Sequence, residues 1–439
     1  MFVYCYMRSL NTIIVSTMFR KFGCLSVFSR RLKRLLFGLL YVSIVISFVC
    51  LTSLVPPKIA VPKFSQSLLS ENYNSHNRRT QATDYNIHIL TQLLQERLKE
   101  VSSAEKTGHS PVCETNASIG DSCLTTGCYR LKMPTALRDR IEQIVSPEYM
   151  RLSLPSKKLL EMMAANVSGS FNVTIISALS SNHFMEAQGL IYKVHQHLLP
   201  YLINFTFIIY NLGLSSEERS FIAQICKCHL IDFPFQIFSR FVSLLHCYTW
   251  KALIVNAHIT KTNVLIWADT SVRFLQDPQS IRNIFSQVKT RGIQLGKGKK
   301  IVAHNTLASM FHYFQDEPCM YLKYNEAMSG MIVVNNDLLV RQAILEPWAA
   351  CALNGSCMCP TERSDLHHIV KASTCRTRKS LYQYGVCHRF DQSAISILIA
   401  KLYQEHYNHV VRNYSEFWAI DRNDRTPYPG LTFRADRKN

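Results

Sequence analysis

The residue best placed to do chemistry is Asp269. The run VLIWADTSVRF (264–274) is apolar as far as Trp267 and Ala268, then delivers Asp269, with Ser271 two residues later. In open α/β sheets, ligands bind outside the carboxyl ends of the strands, where this carboxylate would stand. A carboxylate at such a tip can hold Mg²⁺ or Mn²⁺, and the ion in turn a diphosphate. The competing reading makes Asp269 a turn or helix cap. Asp391, in HRFDQSAISILI (388–399), stands directly before an amphipathic stretch, also a favoured place for a helix cap. Cys351, Cys357 and Cys359 with His367 and His368 match no standard zinc spacing. The run GKGKK (296–300) lacks the G-x-x-x-x-G-K-[ST] spacing of a P-loop and reads as an exposed loop. No G-x-S-x-G, H-E-x-x-H or G-x-G-x-x-G is present, which argues against hydrolase, zinc-protease and dinucleotide-binding chemistry.

The elements that must carry these residues follow from the hydrophobic pattern. Apolar runs at 172–178, 204–210, 228–233 and 263–268 read as strands. Helical stretches at 183–197, 215–225 and 244–259 separate them, close to the ~30-residue rhythm of βαβ units. Strands apolar throughout imply a parallel sheet covered on both faces. Further strands are expected at 300–304 and 331–335. The helix from Asp391 places Ile395, Leu398, Ile399 and Leu402 on one core-facing stripe.

A strand ending in Asp-x-Ser after three βα units resembles the nucleotide-sugar-binding half of GT-A-type glycosyltransferases, whose signature is Asp-x-Asp at this place. SGMIVVNN (329–336) resembles their small-residue-then-strand segment on the sugar and acceptor side, and WADTSVRF, EPWAACAL (346–353) and HRFDQSA together resemble a poorly characterised animal group of type II membrane proteins with that fold. The resemblance implies a Rossmann-like, mostly parallel sheet flanked by helices, a nucleotide-sugar donor and a divalent ion, Mn²⁺ by preference. Ser271 stands where the second carboxylate would be, so His388, His367, His368 or the donor diphosphate would have to complete the ion's ligands with Asp269. That departure leaves open metal-independent catalysis, with Lys or Arg neutralising the diphosphate, and an inactive enzyme.

Glycosyl transfer expels a nucleotide diphosphate and takes a proton from an acceptor hydroxyl. The resemblance assigns Asp391 to the general base or acceptor-orienting role and Gln392 to sugar hydroxyls. Lys251, Ser271 and Arg273 join Asp269 on the donor phosphates, and Ser329 and Gly330 line the sugar. Each has a bland counterpart: a solvated charge, a cap or turn chemistry.

The composition sets the compartment. The chain has 439 residues, 47% of them hydrophobic and 18% charged, as in a globular protein. Its formal net charge is +19. Seven basic residues lie in the first 34 positions, ahead of the first acid, Glu71. Residues 35–55 then run without a charge, enough for a helix to span the roughly 30 Å of a bilayer core. The flanking charges put the amino terminus in the cytoplasm and the rest in the lumen. Asn-x-Ser/Thr acceptors at Asn116, Asn166, Asn172, Asn204, Asn354 and Asn413 all follow that segment, as do twelve of the fifteen cysteines.

The expected organisation is a cytoplasmic tail (1–34), a signal anchor (35–55), a polar stem (56–110) and a disulfide-tied leading subdomain (111–170). A GT-A-like catalytic domain (171–425) and a basic tail (426–439) complete it. The expected function is a Golgi glycosyltransferase acting on a glycan, glycoprotein or glycolipid, with no nucleic-acid partner. The alternatives are an inactive luminal binding protein of the same fold and a luminal scaffold with no donor site.

Overall fold

In the computed structural model of the chain, the described residues are 68–103, 133–359, 375 and 387–430. The chain divides into two compact units, Met1–Asn74 and Ser75–Asn439, and the sheet, its cores and every candidate catalytic residue belong to the second. The expected anchor at 35–55 lies outside the described residues, as do Asn116, His367, His368, Cys113, Cys123, Cys128 and 431–439. Among the described residues no helix is long and apolar enough to cross a membrane.

Seven strands form the main sheet: β1 (Phe171–Leu179), β2 (Phe205–Asn211), β3 (His229–Asp232), β4 (Thr262–Ala268), β6 (Ile293–Ile301), β7 (Asn325–Asn335) and β8 (Val411–Arg412). The order is β3-β2-β1-β4-β7-β6-β8. The β1–β2, β1–β4, β2–β3 and β6–β8 pairs are parallel, and β7 runs antiparallel to both its neighbours. A two-stranded sheet pairs β5 (Val272–Phe274) with β9 (Trp418–Ile420). This is a mixed α/β fold with a mostly parallel sheet.

Side-chain alternation sorts the strand residues into two cores. Ile176, Ile208, Leu265, Trp267 and Ile332 enter one, with residues of α1 (Leu68–Ser103), α2 (Leu137–Val145), α3 (Leu154–Ala165), α6 (Thr249–His258), α8 (Glu346–Ala352) and α9 (Asp391–Tyr403). Ile175, Phe207, Ile266 and Val333 enter the other, with α4 (Phe184–Lys193), α5 (Ser216–Ile225) and α7 (Pro278–Arg291). Local chemistry marks the helix ends. Ser215 and Glu218 form a capping box on α5. Asp277 caps α7, which opens on Pro278 and ends at Gly292 with φ +79°.

Three expectations need correction. The polar stretch read as a stem contributes Ile87, Leu90, Leu94, Leu98 and Val101 to the core, all buried. Their spacing is an amphipathic period diluted by Asn and Gln, and Arg97 pairs with Asp337 at 3.1 Å. GKGKK is no loop but part of β6, in which Gly296 and Gly298 are buried and Lys297 and Lys299 exposed. The glycines are close-packing positions: a Cβ on Gly296 would meet Trp418 at 2.8 Å, and one on Gly298 the Glu326 carbonyl at 3.0 Å. The strand expected at 300–304 is accordingly displaced to Ile293–Ile301.

The cysteines form disulfides at Cys226–Cys228, Cys247–Cys359, Cys351–Cys357 and Cys375–Cys387, so none of these is a zinc ligand. Asn166, Asn172, Asn204 and Asn413 are exposed, and Asn354 is half-buried.

Candidate active site

The carboxyl end of β4, the first turns of α6 and α9 and the middle of β7 meet at one point. Asp269 follows β4 directly, and its N–H donates to the Gly330 carbonyl at 2.7 Å, continuing the β4–β7 ladder. Its Oδ1 accepts from the Trp267 indole N–H at 2.8 Å. Its Oδ2 lies over Gly330, where an added Cβ would approach it to 3.2 Å. Here glycine is needed for close approach rather than for a turn.

Lys251, in the third position of α6, is 1% exposed. Its Nζ lies 3.0 Å from Asp269 Oδ1 and 2.9 Å from Asp391 Oδ2, and it donates to the Ser329 carbonyl at 3.2 Å. The contact to Asp391 is an ion pair between two buried side chains. The Tyr248 and Trp267 rings each stand 5.5 Å from Nζ, within cation–π range. Burial alone would push Lys251 down, but the carboxylates of Asp269 and Asp391 outweigh it and hold the ammonium well above its usual range.

Asp391 is the first residue of α9, and Phe390 holds the cap position without a side-chain cap bond. The capping alternative for Asp391 therefore fails. Burial, with Asp269 nearby, raises its carboxyl, while Lys251 and the Ser329 hydroxyl hold it down in part. Asp391 sits at the positive end of α9, which offsets part of the cost of burying it.

Two aromatic residues flank this cluster with left-handed backbones, Tyr248 at φ 53° and Phe390 at φ 47°. Bulky residues rarely adopt such angles, at about 1–3 kcal/mol each, and strain of this kind collects at functional sites. Their rings are 6.2 Å apart. Cys247 and Cys387, both in disulfides, pin the backbone just before each of them. Nothing in the sequence singled out Tyr248, because an aromatic residue before a helix reads as core.

The carboxyl-terminal segment closes one side. The Asp421 N–H donates to the Ser271 carbonyl at 2.8 Å, and Asp424 Oδ2 accepts from Arg273 Nε at 2.7 Å. Thr270 donates to the buried Glu186 at 2.6 Å, fixing the turn after Asp269.

The structure thus brings together Lys251, Asp269, Ser329, Gly330 and Asp391. Four other expected site residues are placed elsewhere in function. Ser271 is buried beneath the 421–424 segment. Arg273 is buried, and its N–H groups go to Asp424 and the carbonyls of Thr270, Val272 and Glu186, so it is a structural clamp rather than a phosphate ligand. Gln392 is buried near Glu326, itself a buried carboxyl on β7 that burial pushes up and Arg389, Asn305 and Gln392 pull down. His388 is wholly buried, accepting from Leu307 N–H at Nδ1 and donating from Nε2 to the Met358 carbonyl. Burial lowers its pKa to about 3, and with both nitrogens engaged it is not a metal ligand.

The residues present do not fit a divalent cation shared by two acids. Asp391 Oδ2 and Asp269 Oδ1 both face the Lys251 ammonium, and the Asp391 side chain is buried, so Asp269 is the more accessible of the two acids. Among the described residues there is no group of three or more His, Cys, Asp or Glu placed to hold a metal ion.

Residues 142–256 match a family model described as "Protein of unknown function (DUF1647)". Among curated proteins nothing matches the chain. Similar solved structures include the apo form of the bifunctional glycosyltransferase WbbM (12% identity, TM-score 0.29), where the match covers 55% of this chain and 38% of that one. Another is core-mannan synthase A from Aspergillus fumigatus in an Mn/GDP form (10%, TM-score 0.33, covering 62% and 80%). A third is mouse xyloside xylosyltransferase 1, apo (9%, TM-score 0.29, covering 54% and 83%). The chain spans little more than a third of the WbbM chain, and nothing about its chemistry follows from likenesses this distant.

Proposed function

We propose that this chain is a glycosyltransferase of GT-A-like fold, moving a sugar from a nucleotide diphosphate donor to a hydroxyl of a glycan, glycoprotein or glycolipid. The observation that carries this reading is the convergence of Lys251, Asp269 and Asp391, far apart in sequence, at the carboxyl end of a parallel strand. Such a place is where open α/β sheets bind ligands, and pre-set charges there stabilise charge that develops in a transition state.

In this reading Asp269 Oδ2, over Gly330, accepts hydrogen bonds from the donor's hydroxyls. Asp391, with its raised carboxyl, takes the acceptor proton. The acceptor oxygen bonds to the anomeric carbon while the bond from that carbon to the diphosphate oxygen breaks. The diphosphate leaves with the electron pair, and the hydroxyl proton passes to Asp391. Residues 35–55 would anchor the protein in the Golgi membrane with this domain in the lumen.

One observation favours a second reading, a non-catalytic binding module: Ser271 is buried and Lys251 already neutralises the acids. Incubating the full-length, detergent-solubilised chain with a panel of UDP- and GDP-sugars separates the two. Donor hydrolysis or transfer that disappears in Asp269→Ala supports the enzyme. Nucleotide binding without turnover supports the module, and the absence of both sinks each of them.

A further inference from the structure

We infer that Lys251 is a resident cation taking the place of a divalent ion, so that the donor site works without added metal. The inference rests on the donor-site reading above and deepens it. A metal in such a site has one structural task, to hold acids and diphosphate around a single positive centre. Here the Lys251 ammonium lies 3.0 Å from Asp269 Oδ1 and 2.9 Å from Asp391 Oδ2, with the Ser329 carbonyl at 3.2 Å. Three oxygens from separate parts of the chain thus surround one positive charge. The helix that carries Lys251 is packed into the core on nearly every side, and the side chain is 2% exposed, so this charge cannot swing out to make room.

The remaining donors point the same way. Ser271 replaces a second carboxylate and lies buried, and both His388 nitrogens are engaged with backbone groups. A divalent ion would have to share the two acids with an ammonium that lies 3.0 and 2.9 Å from them and repels it, and among the described residues no group of three or more His, Cys, Asp or Glu is placed to hold it.

With its own charge spent on the two acids, Lys251 leaves the diphosphate to a second cation. Arg422 fits that need. It is exposed, on the segment that covers Ser271. It is held between two anchors on the Asp269 turn, Asp421 N–H on the Ser271 carbonyl and Asp424 on Arg273. Lys251 therefore organises the acids and Arg422 meets the phosphates.

The test is nucleotide binding by the full-length chain in detergent, with UDP and GDP as probes, titrated once with excess EDTA and once with Mn²⁺. The expected result is the same affinity in both, within about twofold, and a loss of about tenfold or more in Arg422→Ala. Lys251→Met is expected to weaken binding similarly. Lys251→Ala, which empties the space between the acids, is expected to become Mn²⁺-responsive. Should the Lys251 variants fail to fold, the EDTA comparison on the native chain and Arg422→Ala still decide. Binding that appears only with Mn²⁺ overturns the inference and leaves the donor site standing. Binding to neither nucleotide under either condition overturns the donor-site reading itself.

Discussion

Replacing Asp391 by asparagine keeps the volume at the start of α9 and removes one charge. The carboxyl is 4% exposed and its Oδ2 faces the Lys251 ammonium at 2.9 Å. Removing one partner of a buried ion pair usually costs about 3–5 kcal/mol, because the other charge is left uncompensated. Here Asp269 remains 3.0 Å from the same ammonium, so the loss should fall nearer 1–3 kcal/mol, with the chain still folded. Turnover should suffer far more. A positioned base contributes roughly 10²–10⁴-fold, or about 3–5 kcal/mol of barrier, and the amide cannot accept the proton. Steady-state donor turnover beside urea unfolding separates the two effects. A fall in kcat of about a hundredfold or more, with KM for the donor within a few-fold, is the expected pattern. A kcat within about threefold of the native protein, with the unfolding midpoint lowered, would reduce Asp391 to a structural partner of Lys251 and refute this account of it.

Other expectations follow from the packing. His258, 1% exposed and accepting from the Tyr210 hydroxyl at 2.7 Å, has a pKa lowered by burial to about 4. A depressed folded-state pKa leaves the protein's stability intact above about pH 6.5 and erodes it as the pH falls towards 4, by about 2 kcal/mol at pH 5. Urea midpoints at pH 7 and 5 for the native chain and His258→Asn check this; equal pH slopes would contradict it. Truncating the chain at residue 110 removes Ile87, Leu90, Leu94, Leu98 and Val101 from the core. At about 1.5–3 kcal/mol each, that loss rivals the whole net stability of a domain, so the truncated protein should be insoluble, and a soluble, cooperatively melting product would contradict the packing. Arg273→Ala should lower the melting temperature markedly and leave the donor KM nearly unchanged. The reverse pattern would restore Arg273 as a phosphate ligand.

The first half of the sheet was legible because β1, β2 and β4 are continuous apolar runs, the pattern of strands covered on both faces. The later half was not. Strand β6 carries Gln294, Lys297, Lys299 and Lys300 around two buried glycines, and those glycines answer to Trp418 and Glu326, contacts that exist only in the fold. Helix α1 hid its core stripe among polar residues, so it read as a spacer. Within the site, Asp269 could be found from its place after an apolar strand. Its pairing with Lys251 could not, since Lys251 and Asp391 meet it only through the crossover of α6 and the return of α9 to β7. Arg273 showed the opposite failure: a cation beside the key acid looked like a phosphate ligand, yet its donors are taken by Asp424 and three carbonyls.

The most direct test of the lysine–carboxylate cluster as a donor site is calorimetric titration of UDP- and GDP-sugars into the full-length protein and its Asp269→Ala variant. Saturable binding of one nucleotide class to the native chain, weakened about a hundredfold in the variant, is the predicted result. No heat from either class, or equal affinity in both proteins, would contradict it.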